Sequence, residues 1–256
     1  MEWSSLLLIA VTSFGASMLT FFSGFGLGTI LMPVFALFFT LPEAIALTAI
    51  VHLLNNLFKV ALVYTHIDKG TLVRFGIAAV PFAFAGAVAL SYLNAAPFFE
   101  GSFYRFSWLK ISIGILLIFF SLFDLIPALS KLSMDKKYLT LGGAISGFFG
   151  GLSGHQGALR SAFLIKLGLS KQSFIATGIA LACLIDVCRL LIYGSVIGGL
   201  KMDNSNAILL AIAVLSAFAG AYLGNRFLNK INISWLQKLV GALLILYGIL
   251  MILGIL

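Results

Sequence analysis

Apolar runs of about 20 residues, bounded by short charged stretches, recur from one end of the chain to the other, as helices crossing a hydrocarbon layer of roughly 30 Å require. Residues 44–65, 71–93, 108–127, 172–197, 206–225 and 234–256 are plain runs of this kind. Two others, 5–39 and 138–168, are too long for one straight span and too short for two, and glycine fills their middles. The pattern predicts an all-α polytopic membrane protein with no separate soluble domain.

The order of the runs repeats. "AFAGA" occurs at Ala83 to Ala87 and again at Ala217 to Ala221, and Trp108-Leu109 with Gly114 is mirrored by Trp235-Leu236 with Gly241. "FGASMLTFFSGFG" from Phe14 resembles "GGAISGFFGGLSG" from Gly142, and "TAIVHLLNNLFKVALVY" from Thr48 resembles "TGIALACLIDVCRLLIY" from Thr177. Four blocks in one order make a duplication. The first repeat is 1–127, a basic connector is 128–137 and the second repeat is 138–256. Each repeat is one glycine-broken segment followed by three transmembrane helices.

Composition agrees: 61% of the 256 residues are hydrophobic, 9% are charged and mean hydropathy is +1.14. The net charge of +8 sits in ones, twos and threes at the ends of apolar runs, so it reads as membrane topology and not as a nucleic-acid surface. If both broken segments cross once, the basic residues divide almost evenly between the two sides. If both are re-entrant, Lys69, Arg74, Lys131, Lys136, Lys137, Lys166, Lys171, Arg226, Lys230 and Lys238 fall on one side, and only Arg105, Lys110 and Lys201 on the other. The uneven split predicts re-entrant segments, three crossings per repeat, opposite orientation of the repeats and both termini outside. The N-terminus lacks the basic start of a secretory signal and is expected to be retained. Cys183 and Cys188 point apart on one helix and are expected to stay free thiols.

Irregular backbone at membrane depth persists only where protein buries it or a wet cavity lies beside it, so the glycine breaks mark the expected site. In the second repeat, Gly147, Gly150, Gly151, Gly154 and Gly157 surround Ser153, His155 and Gln156, and a half-helix restarting near Gly157 would aim free N–H groups and its positive dipole end at an anion. Gly24, Gly26, Gly28 and Thr29, before Pro33, are the counterpart in the first repeat. Thr48, His52, Asn55, Asn56 and Lys59 form one polar stripe on the next helix, and no carboxylate lies three or four residues from Lys59, which therefore reads as anion-seeking. In the matching helix Asp186 and Arg189 are three apart and able to pair, as a structural or coupling ion pair. Arg160 faces the site or pairs with Asp186. The substrate site is thus expected to draw on Gly26, Gly28, Thr29, Asn55, Asn56, Lys59, Ser153, Gly154, His155, Gln156, Gly157, Arg160 and Arg189. His155 is the expected proton-responsive group.

No zinc-protease motif, facing carboxylate pair or Ser/His/Asp spacing supports an enzyme, a metal site or a cofactor. A transporter or an anion channel of the same cationic cavity is the expectation, with a small anion and the lipid bilayer as partners. A coupling ion, proton or sodium, and a homo-oligomer stay open.

"GFGLGTILMPVFAL" resembles the glycine-rich opening of the sulfite exporter TauE/SafE family, although Leu27 and Thr29 replace the family's common run of glycines. "GFFGGLSGHQGALRSAFL", followed by "FIATG" and by Asp186, Arg189 and Tyr193, is similar to a second-half motif of that family. The resemblance spans nearly the whole chain. It implies a bacterial or archaeal inner-membrane exporter of small sulfur-containing anions such as sulfite, organosulfonates or thiosulfate, driven by an ion gradient.

Overall fold

The computed structural model describes residues 3–20, 26–96, 99–100, 105–130, 132–196, 204–227 and 233–256. Among them the elements are helical apart from one short hairpin. The first glycine-broken segment forms α1 (Trp3–Leu19) and the half-helix α2 (Leu27–Phe35), and its Gly24 lies outside the described residues. Then come α3 (Leu41–Val63), α4 (Lys69–Ala95) and α5 (Trp108–Leu125). A single helical turn, α6 (Pro127–Ser130), stands at the connector. The second broken segment forms α7 (Leu139–Ser153) and the half-helix α8 (Gly157–Leu164), followed by α9 (Lys171–Val196), α10 (Asn204–Phe227) and α11 (Ile233–Ile252). The hairpin, Phe99–Glu100 paired antiparallel with Arg105–Phe106, lies between α4 and α5.

Local chemistry explains the boundaries. Thr40 and Glu43 form a capping box at the start of α3, with Pro42 in the first turn, where its missing N–H costs nothing. Asp68 caps α4 by accepting from the Thr71 N–H at 2.7 Å. The hydroxyl and backbone N–H of Thr71 hold the Asp68 carboxyl below the usual carboxylate range. Helix α7 ends because Gly154 turns left-handed, with φ of 83°, and its N–H closes on the Gly150 carbonyl at 2.8 Å.

Helices α3 with its following turn (Leu41–His66), α4, α9 over Lys171–Gly194 and α10 over Asn204–Gly224 are long and apolar enough to cross a bilayer. Helices α1, α5 and α11 supply shorter apolar stretches. The main packing pairs are α1 with α10, α4 with α7, α3 with α9, α5 with α11, α3 with α10 and α4 with α9. Swapping α1–α5 for α7–α11 interchanges these pairs. Two buried clusters are related by the same swap: Leu27, Leu31, Val51 and Ala217 join α2, α3 and α10, while Phe163, Leu164, Ile185 and Ala83 join α8, α9 and α4.

Most glycines of α7 serve contact. Residues Gly143, Gly147 and Gly151 stand one turn apart and press on the backbone of Phe75, Ala79 and Ala83 in α4, where any Cβ would strike the carbonyls. From the other side Gly86 meets the Phe148 carbonyl, and in the related pair Gly220 of α10 meets the Phe14 carbonyl of α1. The sequence pattern assigned Gly147 and Gly151 to the break as much as to packing; in the structure they lie within a regular helix and the break begins only at Gly154.

Candidate functional site

The two half-helices end at one place. Gly26 and Leu27 at the start of α2, and Gly154, Gln156 and Gly157 around the start of α8, line a shared cavity of about 50 Å³. Thr20 at the end of α1, His52, Asn56 and Lys59 of α3, Arg160 of α8, and Ile179 and Ala182 of α9 complete the described wall. A space of this size holds a group of a few heavy atoms.

Each polar element is placed by local structure. The Ser146 hydroxyl donates to the Gln156 carbonyl at 3.3 Å, and the Arg160 N–H donates to the same carbonyl at 2.9 Å, which fixes the turn between α7 and α8. Arg160 donates from its guanidinium to Gln156 Oε1 at 3.3 Å. Gln156 lines the cavity, and its Nε2 is buried and without a partner among the described residues. An unpaired buried amide donor costs about 1–3 kcal/mol unless a ligand accepts from it.

Behind this wall a second network ties α3 to α9. His52 Nδ1 lies 2.6 Å from Asp186 Oδ2, and Arg189 Nε donates to Asp186 Oδ1 at 2.9 Å. All three side chains are buried. Tyr193, one turn beyond Arg189, donates to the Gly151 carbonyl at 2.6 Å and so holds the end of α7 against α9. Lys59 donates to the Ser17 carbonyl at 3.5 Å. With its amide oriented to match its neighbours, Asn55 accepts from Lys59 at 3.3 Å and donates to the Ala217 carbonyl at 3.1 Å.

Basic side chains, an amide donor without a described partner and two half-helix N-termini surround one small cavity, a set of groups whose chemistry would suit an anion. The sequence model of one family, described as sulfite exporter TauE/SafE, matches residues 9–251. The chain belongs to the TauE/SafE family. It is therefore a multi-pass membrane transport protein. No curated protein and no solved structure matches the chain.

In this TauE/SafE chain the cavity wall is drawn differently from the expected list. Gly26, Asn56, Lys59, Gly154, Gln156, Gly157 and Arg160 line it. Gly28, Thr29, Asn55, Ser153, His155 and Arg189 do not, among the described residues. Gly28 packs on Thr48, and the Thr29 N–H closes the first turn of α2 on Gly26. Asn55 faces α1 and α10, because a residue one position before Asn56 is rotated about 100° from it on a helix. The Ser153 hydroxyl donates to the Phe149 carbonyl at 3.2 Å and lies 2.9 Å from His155 Nδ1, while the His155 ring stacks on Phe120 at 5.6 Å. Arg189 serves Asp186 behind the wall. Arg160, left between two roles by its position in the sequence, faces the cavity and bonds Gln156. Thr20 and His52 were missing from the expected list, although His52 shares the face of Asn56 and Lys59 and Thr20 adjoins the first break.

Proposed function

We propose that this protein is a secondary transporter that carries a small sulfur-containing anion, sulfite or a related sulfonate or thiosulfate, by alternating access around the cavity between α2 and α8. The observation that carries the reading is the convergence of two half-helix N-termini on one space that Gln156, Lys59 and Arg160 also line. Charge-assisted hydrogen bonds of about 1.5–3 kcal/mol each give useful but reversible affinity to a three-oxygen anion. The family description supplies export as the direction and sulfite as the first anion to test.

The same reading takes the two repeats as inverted, with re-entrant broken segments and both termini outside. The exchange-related packing of α1 with α10 and α4 with α7 supports two related repeats, and the uneven basic charge supports their opposite orientation. Rocking of one unit against the other around a fixed mid-membrane site then opens it to each side in turn. No described feature favours the anion-channel alternative.

Uptake of labelled sulfite into proteoliposomes tests the function. A saturable rate and acceleration by unlabelled sulfite on the far side are expected, and a linear flux without counterflow would overturn the carrier reading.

A further inference from the structure

We propose that the groove between α2 and α11 binds one anionic phospholipid, with an acyl chain along the groove and the phosphate at Lys110. The inference is independent of the anion reading above, because the groove shares no lining residue with the cavity between α2 and α8.

Two adjoining cavities make up the groove. The first, of about 410 Å³, lies between Ile30, Pro33 and Val34 of α2, with Leu37 just beyond them, and the face of α11 within residues 240–250. Helix α2 turns Leu27, Leu31 and Phe35 into the core, which leaves the face of Ile30, Pro33 and Val34 to the groove. The second cavity, of about 320 Å³, shares Leu37 and Tyr247 with the first and lies where α3 and α5 start and α4 and α11 finish. Each volume falls in the roughly 300–1,000 Å³ range of sites that hold small molecules.

Polarity changes along the groove in the manner of an amphiphile. Apart from Thr12 and the Tyr247 hydroxyl the first cavity is apolar, whereas Thr40, Asn94, Ser107 and Lys110 line the second. The part of α11 that lines the two, 240–251, is roughly 16 Å long at about 1.5 Å per residue, which is half of a ~30 Å hydrocarbon layer and so the depth of one leaflet. Trp108, beside the polar end, is exposed, as aromatic residues at a membrane surface commonly are.

Charge selects the headgroup. Lys110 is the one charged residue lining either cavity among the described residues, and none of the described carboxylates forms an ion pair with it. The nearby Glu43 is committed to Thr40, whose N–H and hydroxyl both donate to it. An ammonium on a long apolar stem at the membrane surface suits a phosphate, and no described acidic side chain lines the groove to receive the cationic part of a zwitterionic headgroup. A bound lipid would also brace α2, whose first residue, Leu27, lines the anion cavity with Gly26.

The test is native mass spectrometry of the purified full chain in detergent, with added phosphatidylglycerol or phosphatidylcholine of identical acyl chains, beside melting curves in the same mixtures. One phosphatidylglycerol per chain, held about fivefold more strongly than phosphatidylcholine, is expected, together with a higher melting temperature. Lys110→Gln should lower its retention to that of phosphatidylcholine. Leu243→Trp, which fills the apolar cavity from an exposed position, should lower retention of both lipids, and Lys136→Gln, at an exposed position in the connector, should change neither. Glycerol phosphate, a headgroup without chains, should leave the melting temperature unchanged. Equal retention of the two lipids by wild type, retention unchanged in Lys110→Gln or Leu243→Trp, an equal loss in Lys136→Gln, stabilisation by glycerol phosphate alone, or a dimer of the chain that retains no lipid would each overturn the proposal. The wild-type comparison of the two lipids decides it even if a variant fails to fold.

Discussion

Gly154 lies against the guanidinium of Arg189: a Cβ added at position 154 would fall 2.5 Å from Nη1. Arg189 is held by Asp186, and Asp186 holds His52 on α3, so the break between α7 and α8 is locked onto the α3–α9 pair that backs the cavity. Gly154→Ala adds a left-handed backbone penalty of about 1–2 kcal/mol to that collision. Anion affinity should fall about tenfold or more, with a lower melting temperature, as read by titration and thermal unfolding.

Gln156 contributes a donor and no charge. Gln156→Ala removes the unpartnered Nε2 together with the Oε1 that accepts from Arg160, and should weaken thiosulfate binding about tenfold, the equivalent of ~1.4 kcal/mol, with a fall in melting temperature from the lost Arg160 bond. Gln156→Glu reverses the local sign and should abolish binding. Titration of both variants against wild type is the measurement.

Lys59→Ala should slow transport and weaken affinity while the chain still folds, since Lys59 lines the cavity. Counterflow in proteoliposomes, beside a melting curve in detergent, separates lost transport from lost folding. Wild-type rate and affinity would assign Lys59 to structural contacts such as those with Ser17 and Asn55.

The helix breaks were legible because glycines cluster there with polar residues, and polar groups are costly inside apolar runs unless they are used. Residues 138–168, read as one interrupted segment, divide at Gly154, and the Thr48, His52, Asn56 and Lys59 stripe is buried along one helix. A helical period gives a shared face but not the face's neighbour. The bond from His52 to Asp186 spans 134 positions, and nothing local to either residue specifies it. His155 has the same composition around it as a site residue, yet its ring packs on Phe120, a partner from another helix. Within the stripe of Gly143, Gly147 and Gly151, no local mark separates Gly147 and Gly151 from the break, because close packing and irregular backbone both call for glycine.

That stripe makes its own prediction. Gly147→Leu drives a side chain into the Ala79 backbone of α4, and overpacking of this kind costs about 1–3 kcal/mol or more. A lowered melting temperature and poor recovery from membranes are expected, whereas Gly194→Leu, at a position where a Cβ meets nothing, should be tolerated.

At the short turn between α3 and α4, Asp68 caps α4 and donates its own N–H to the Thr177 hydroxyl of α9 at 2.8 Å. Its carboxyl is held below the usual range by Thr71, so the cap's contribution is complete at neutral pH and is lost as pH falls below about 4. Asp68→Asn keeps a good cap without a titrating group. Its melting temperature should therefore lose less than that of wild type over the same acidic interval.

The account turns on where the anion sits. Crystals grown with selenite, an oxyanion with an anomalous signal, should show a peak between the starts of α2 and α8, within hydrogen-bonding reach of Gln156 and Arg160. An ordered selenite elsewhere in the protein, with the space between Gly26 and Gly157 empty, would contradict it.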